Sequence, residues 1–286
     1  NLDVDKTKTK IKELEKQGRL PKLAMFGGSV FLFPHPVKEL ADFLKGYDMH
    51  INYDAAHVAG LISGGEFQDP LGEGVDTMTM STHKTLFGPQ GGLVLAHEKN
   101  AEEIKKATFP GVTSSHHIHH MAAKAIAFAE ALEFGKDYAS QTVKNAKALA
   151  STLNDSGFKV LGEKNGFTKS HQTVVNVFDY ADGGKIEAEL EKANIIVNRQ
   201  LVPGDLKAKR NYMHPSGIRL GTSEITRLGM KEPEMQEIAS LIKQVIIDKK
   251  DPSEVAGKVV DFRKNYQKTQ YCFDNKLGAY EYVKLR

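Results

Sequence analysis

The feature that most restricts the fold is the alternation of short apolar runs with amphipathic segments over the first hundred residues. The run at 22–26 predicts a buried strand, and the runs at 48–54, 75–81 and 92–96 predict further strands. Apolar residues at helical spacing over 37–44 predict a helix. Strands separated by helices indicate crossover connections and a mainly parallel sheet. We therefore predict an α/β fold in which helices flank a mainly parallel sheet.

Polar side chains follow three of these predicted strands. Ser29, Asp54 and Lys84 fall at or just past the strand ends. Parallel sheets bind ligands outside the carboxyl ends of their strands. The three residues are therefore the first candidates for a functional site.

The pattern changes after Pro110-Gly111. Helices are predicted at 116–134, 139–153, 185–192, 233–247 and 253–266, and strands at 158–161, 173–178, 195–198 and 218–222. This mixture predicts a second, smaller α+β domain packed on the first.

Composition excludes several classes of protein. The 286 residues contain 39 Lys and Arg against 36 Asp and Glu, a net charge of +3 that is spread along the chain. Such a balance argues against nucleic acid or an anionic membrane as the main partner. No run of 18 apolar residues predicts a membrane span. The single cysteine, Cys272, allows no internal disulfide and fits a reducing cytoplasm.

The segment Ser81-Thr-His-Lys-Thr-Leu-Phe-Gly-Pro-Gln-Gly-Gly92 carries the clearest chemistry. Lys84 follows a buried strand and precedes a Gly/Pro-rich turn. Desolvation there would lower the pKa of the lysine and make it a nucleophile toward an aldehyde. The alternative is an exposed loop lysine.

Two further segments are compatible with the same chemistry. Asp54 and His57 have side chains that could bind a heteroaromatic ring, and they lie in the segment Asn52-Tyr-Asp-Ala-Ala-His-Val-Ala-Gly60. A carboxylate paired with a ring N–H keeps the ring protonated and makes it an electron sink; the alternative is an aspartate that caps the following turn. Arg219 lies in an apolar strand, where it would bind a ligand carboxylate or a protein acid.

Together these segments identify a family. Tyr53-Asp-Ala-Ala-His-Val-Ala-Gly-Leu-Ile62, the Lys84 segment and Ser216-Gly-Ile-Arg-Leu-Gly-Thr222 stand in the order and spacing of serine hydroxymethyltransferases. From about residue 20 to 247 the chain resembles this family of pyridoxal-phosphate enzymes. Its members have the fold of aspartate aminotransferase, called fold type I. The resemblance implies that the family's N-terminal third is absent from this sequence.

The resemblance implies roles for individual residues. Lys84 matches the lysine that forms the Schiff base with pyridoxal 5'-phosphate, Asp54 the acid at the pyridinium nitrogen and His57 the histidine beside the phenolic oxygen. Arg219 matches the arginine that binds the substrate's α-carboxylate. The remaining cofactor-binding matches are Ser29, Ser81 and His83.

The resemblance also implies a reaction and an assembly. The expected reaction transfers a hydroxymethyl group between serine and glycine, with tetrahydrofolate or a modified tetrahydropterin as co-substrate. The expected protein is a cytoplasmic homodimer with sites shared between subunits. The implied domains are the later part of the cofactor-binding domain (1–112), an interdomain helix (113–137), a small α+β domain (138–250) and a C-terminal helix and tail (251–286).

Departures from the family leave two alternatives open. Gly204 stands where an asparagine is expected to meet the pterin, the glycine-rich stretch after Phe-Pro-Gly becomes Val112-Thr-Ser-Ser-His-His117, and Gln90 replaces an arginine. One alternative is a pterin-independent aldolase or transaldolase of 3-hydroxy amino acids. The other is a catalytically silent fragment or homologue. Residues 271–286 extend past the resemblance, and no motif in them indicates a role.

Four histidines, His116, His117, His119 and His120, show a weak metal-binding pattern, because two of them lie four residues apart on a predicted helix. No acid or cysteine accompanies them at matching spacing, so we assign no metal site.

Overall fold

A computed structural model describes residues 2–276 together with 278 and 279. The remainder of the tail for which the sequence indicated no role, residues 277 and 280–286, lies outside the described residues. The chain forms two compact units, Asn1–Lys136 and Asp137–Arg286. Within the described residues, no helix is long and apolar enough to cross a membrane.

The first unit is built on a four-stranded sheet. Its strands are β1 (Leu23–Gly27), β2 (His50–Asp54), β3 (Thr77–Ser81) and β4 (Gly92–Ala96), and they lie side by side in chain order. β1, β2 and β3 are parallel, whereas β4 runs antiparallel to β3. The prediction of an α/β fold with a mainly parallel sheet is confirmed.

Helices connect and flank these strands. They are α1 (Val4–Lys16), α2 (Val37–Lys45), α3 (Ala59–Ser63) and α4 (Ala101–Lys106). The spacing of apolar residues in α2 places Val37, Leu40, Ala41 and Leu44 on one buried face. This face packs in the core of the unit, where Ile51 and Tyr53 of β2 are fully buried.

The second unit is an α+β structure, as predicted. Its sheet has the order β5-β6-β8-β7, with β5 (Lys159–Val160), β6 (Gln172–Asn176), β7 (Asn198–Gln200) and β8 (Gly217–Gly221), and every pairing is antiparallel. The helices α6 (Gly183–Lys192), α7 (Ser223–Arg227), α8 (Glu232–Ile246) and α9 (Pro252–Arg263) belong to it. Apolar residues from α6, α8, α9 and the sheet form one buried core.

Two predictions of element bounds were wrong, and α1 was missed. The two helices predicted at 116–134 and 139–153 form one helix, α5 (Ile118–Asp155), because Gly135 is tolerated within it and strong helix formers surround it. The strand predicted at 195–198 is β7, which begins at Asn198. α1 was not predicted: its apolar residues Val4, Ile11 and Leu14 share one face, but polar residues separate them and the helix buries no residue.

Candidate active site

The carboxyl ends of β1, β2 and β3 bring three of the candidate residues to one edge of the sheet. Asp54 is the last residue of β2, Ser29 follows the end of β1, and Lys84 follows the end of β3. In the strand register Gly27 is opposite Asp54, and Asp54 is opposite Thr79. Because these strands are parallel, their carboxyl ends meet at the same edge, where α/β proteins bind ligands.

A glycine allows the close approach between the first two strand ends. Gly27 has φ of +96°, and a Cβ at this position would lie 2.2 Å from the Asp54 carbonyl oxygen. Any other residue would therefore push β1 away from β2 at the edge that carries Ser29 and Asp54.

The Asp54 carboxylate takes part in the turn that follows it. Its Oδ1 accepts the Ala56 N–H at 2.9 Å, and the next residue is His57. The capping interaction that was the alternative explanation of Asp54 is thus present. It uses one carboxylate oxygen, and both Asp54 and His57 remain half-buried at the sheet edge.

The turn that carries Lys84 is fixed by a buried threonine in front of it. Thr82 donates its N–H to the Gly91 carbonyl at 3.0 Å and its hydroxyl to the Pro89 carbonyl at 2.6 Å. Its own carbonyl accepts the Gly88 N–H at 2.7 Å. The Gly/Pro-rich turn therefore folds back on the strand end, and Lys84 is half-buried rather than fully exposed.

A second buried threonine joins the Lys84 turn to the His57 turn. The Thr85 hydroxyl donates to the His57 carbonyl at 3.0 Å and accepts the Gly60 N–H at 2.9 Å. A Cβ on Gly60 would lie 2.0 Å from the Thr85 carbonyl oxygen, so the two turns are in direct backbone contact. The sequence prediction missed Thr85 and Gly60, although both lie inside the segments that it singled out.

The two other candidates beside Lys84 differ in exposure. Ser81 ends β3, pairs with Gly92 of β4 and is half-buried. His83 is exposed, and its Nδ1 accepts the Gly91 N–H at 3.3 Å. Both flank Lys84 at the same end of β3.

Arg219 lies in the second unit, on β8 between Val174 of β6 and Asn198 of β7. Its guanidinium donates to the Asn198 side-chain oxygen at 3.0 Å. Burial lowers the pKa of Arg219, and the nearby Tyr212 phenol acts in the opposite direction. A half-buried arginine held by an amide side chain is suited to bind a carboxylate.

The histidine segment packs against itself. The rings of His117, His119 and His120 have centroids 4.5–5.4 Å apart. Across residues 2–276, 278 and 279, no group of three or more His, Cys, Asp or Glu side chains could hold a metal ion.

Comparison with known proteins identifies the family. The family model "Serine hydroxymethyltransferase" matches residues 1–242. The chain belongs to the serine hydroxymethyltransferase family. It is 78% identical over 285 residues to the serine hydroxymethyltransferase of Nitrosopumilus maritimus (strain SCM1) and 73% identical to that of Cenarchaeum symbiosum (strain A).

Both of these serine hydroxymethyltransferases are longer than the present chain. Each alignment covers 100% of this chain and 65% of the relative. Among solved structures, L-threonine transaldolase from Pseudomonas fluorescens in its internal aldimine state has a TM-score of 0.84 and 31% identity, covering 96% of this chain and 61% of that chain. The fold type I architecture is thereby shown as well.

The donor set at the sheet edge fits the cofactor of serine hydroxymethyltransferases, pyridoxal 5'-phosphate. The edge carries an amine (Lys84), a carboxylate (Asp54), an imidazole (His57) and a hydroxyl (Ser29), which are the group types that a phosphorylated pyridine aldehyde needs. The space beside Gly28 is open, because a Cβ there would meet no atom within 4 Å. These features match the chemistry that the cofactor requires.

Proposed function

We propose that the complete protein catalyses hydroxymethyl transfer between serine and glycine, with pyridoxal phosphate bound covalently to Lys84. The one-carbon unit would pass to tetrahydrofolate or a modified tetrahydropterin. The observation that carries this proposal is the meeting of Ser29, Asp54 and Lys84 at one sheet edge, in a chain of the serine hydroxymethyltransferase family.

Each proposed site residue has a physical task. Bound pyridoxal phosphate supplies an electron sink for the bond that breaks. The Lys84 amine would hold the cofactor through its aldehyde, and the Asp54 carboxylate would keep a proton on the ring nitrogen. His57, Ser29, Ser81 and His83 would orient the cofactor, and Arg219 would bind the substrate's α-carboxylate bidentately.

The covalent link is tested first. The chain is incubated with pyridoxal phosphate, reduced with borohydride and digested, and the labelled peptide is identified by mass spectrometry. We expect one label, on Lys84, which Lys84→Ala abolishes. The control Lys38→Ala removes an exposed lysine of α2 and should leave the label in place.

The reaction is tested on a chain that includes the length found in the relatives. We expect serine to give glycine at a rate that rises when tetrahydropterin is added, and we expect Lys84→Ala to lose this activity by several orders of magnitude. Full activity in Lys84→Ala would reject the proposed role. If neither the present chain nor the longer one is labelled by pyridoxal phosphate, the silent homologue is favoured.

A second candidate is a pterin-independent aldolase or transaldolase of 3-hydroxy amino acids. It is favoured by the resemblance to the L-threonine transaldolase structure and by Gly204, which stands in an exposed turn with φ of +103° and has no side chain to offer a pterin. Under this alternative, 3-hydroxy amino acids are cleaved to glycine equally fast with and without tetrahydropterin. A strict pterin requirement with serine would exclude it.

The assembly, location and domain division are also part of the proposal. We propose a homodimer with sites shared between subunits, acting in the cytoplasm. The four-part division into 1–112, 113–137, 138–250 and 251–286 stays a prediction for the complete protein. Limited proteolysis would test it, with cleavage expected near the proposed boundaries.

A further inference from the structure

A partly buried histidine lies beneath the turn that carries Ser29. His35 is half-buried, and its ring packs at a tilt against the ring of Phe31, with centroids 4.9 Å apart. The centroid of the Tyr53 ring lies 6.4 Å from that of His35. Its Nδ1 accepts the Gly27 N–H at 3.3 Å. The ring thus holds the last residue of β1, two positions before Ser29.

The backbone of His35 is held in turn by Gln68. The Gln68 side-chain oxygen accepts the His35 N–H at 2.9 Å, and its amide nitrogen donates to the His35 carbonyl at 3.1 Å. The same amide nitrogen donates to Glu73 at 2.8 Å. Gln68 is buried, so each of these bonds forms in a site where an unmade bond is costly.

The contacts continue to the strand that carries Asp54. The Tyr53 hydroxyl donates to the Gln68 side-chain oxygen at 2.8 Å, and Tyr53 is fully buried. Burial raises the pKa of Tyr53 far above its ordinary value, so the phenol keeps the proton that it donates. A continuous set of hydrogen bonds therefore joins Gly27, at the Ser29 turn, to Tyr53, beside Asp54.

We propose that His35 is a positioning residue that holds the Ser29 turn at the candidate active site, and that it does so only as a neutral imidazole. The proposal deepens the proposed function and depends on it for one of its two readouts. His35 itself touches neither the cofactor nor the substrate in this scheme; it acts through the Gly27 N–H.

The requirement for a neutral ring follows from the geometry. An imidazolium has a proton on both nitrogens and cannot accept the Gly27 N–H at Nδ1. The titratable groups in this set of contacts are Tyr53, which stays protonated, and Glu73, which reaches the ring only through Gln68. Burial lowers the pKa of His35 below its ordinary value, so the contact is present at neutral pH and is lost as the pH falls through that lowered pKa.

The first experiment needs no cofactor. The full chain, labelled with ¹⁵N in glycine and histidine, is titrated by NMR from about pH 8 to pH 5, where imidazole charge changes. We expect the Gly27 amide and the His35 ring to shift with one shared pKa. In His35→Asn the Gly27 shift should lose this titration, whereas the control His97→Asn, which alters an exposed histidine, should keep it. A Gly27 amide that does not titrate, or that titrates unchanged in His35→Asn, overturns the proposal.

The second experiment measures the consequence for the site. The affinity for pyridoxal phosphate is measured across the same pH range in the wild type, His35→Phe and His97→Phe. Loss of one hydrogen bond predicts that the wild type binds the cofactor roughly three- to tenfold more weakly at acidic pH than at neutral pH. His35→Phe, which keeps an aromatic ring against Phe31, should show the same loss of affinity already at neutral pH.

The two results separate this inference from the proposed function. Wild-type affinity in His35→Phe at neutral pH rejects the positioning role. If neither the wild type nor any variant binds pyridoxal phosphate, the proposed function fails for this chain. The NMR titration of the Gly27 amide then still decides whether His35 holds the turn as a neutral ring.

Discussion

At the scale of single residues, the position of Lys84 depends on a neighbour that carries no chemistry. Thr85 is 1% exposed, and its hydroxyl donates to the His57 carbonyl and accepts the Gly60 N–H. Thr85→Val keeps the shape but leaves the buried Gly60 N–H and the part-buried His57 carbonyl without this partner, so we expect the free energy of unfolding to fall by about 1–3 kcal/mol. Urea denaturation measures the change, and Thr85→Ser, which keeps the hydroxyl, should lose much less. Equal losses in the two variants would contradict the hydrogen-bond explanation.

Gly60 offers a second test of the contact between the two turns. A methyl group there would overlap the Thr85 carbonyl, so Gly60→Ala should lower the free energy of unfolding by about 1–3 kcal/mol and weaken labelling of Lys84 by pyridoxal phosphate. The control is Gly135→Ala in α5, where the nearest atom would be 3.8 Å away. Since alanine favours a helix over glycine by about 1 kcal/mol, this control should be neutral or stabilising. A neutral Gly60→Ala would show that the turns can separate.

The candidate site could be predicted in part because its chemistry lies in short segments. Ser29, Asp54 and Lys84 follow apolar runs that are readable as strands, and parallel topology then brings them to one edge. Thr85 and His35 were missed for a physical reason. Their partners lie 8 to 33 residues away, and no local pattern of apolar and polar residues encodes a hydrogen bond over that distance.

At the scale of elements, one carboxylate organises the segment that leads into β8. Asp205 is 3% exposed and accepts the Val202 N–H at 3.0 Å, the Ser216 N–H at 2.9 Å and the Ser216 hydroxyl at 2.5 Å. Burial alone would raise the pKa of Asp205, but these hydrogen bonds and the nearby Arg210 outweigh it, so the pKa lies below its ordinary value. The charged form is therefore the one that stabilises the fold.

This gives a prediction with a defined pH dependence. Asp205→Asn should lower the free energy of unfolding by about 2–3 kcal/mol at neutral pH, the cost of losing bonds to a buried charge. The wild-type advantage is present above the unfolded pKa of about 3.9 and disappears as the pH falls through the lower folded value. Denaturation at a series of pH values measures it, with the exposed Asp42→Asn as control. A difference that grows toward acid would refute the assignment.

Element bounds were predictable where turn residues flank an apolar run. β4 was predicted at its observed residues, 92–96, since an apolar run between turn residues marks it. α5 was split because Gly135 resembles a helix end, yet nothing there turns the chain. α1 was missed although Val4, Ile11 and Leu14 lie on one face, because these few apolar residues are widely spaced and none of them is buried.

At the scale of the whole molecule, the sheet of the first unit has an unpaired edge at β1. β1 pairs with β2, and among the described residues no strand lies beyond β1. Its alternation places Phe26 in the core and leaves Leu23 and Met25 on the outer face, 52% and 61% exposed. Unpaired strand edges with exposed apolar side chains promote association.

We therefore expect this chain to self-associate through β1. Its weight-average mass in sedimentation experiments should rise with concentration, and Met25→Lys should reduce that rise, because a charge on an edge strand opposes pairing with another strand. Leu132→Lys is the matched control: Leu132 is 91% exposed, but it lies on α5, whose backbone groups bond within the helix. If Leu132→Lys reduces association as much as Met25→Lys, the driving force is exposed apolar surface in general. If only Met25→Lys reduces association, the unpaired edge of β1 is the contact. The same strand is then the candidate surface for contact in the proposed homodimer or with the part of the relatives that this chain does not span.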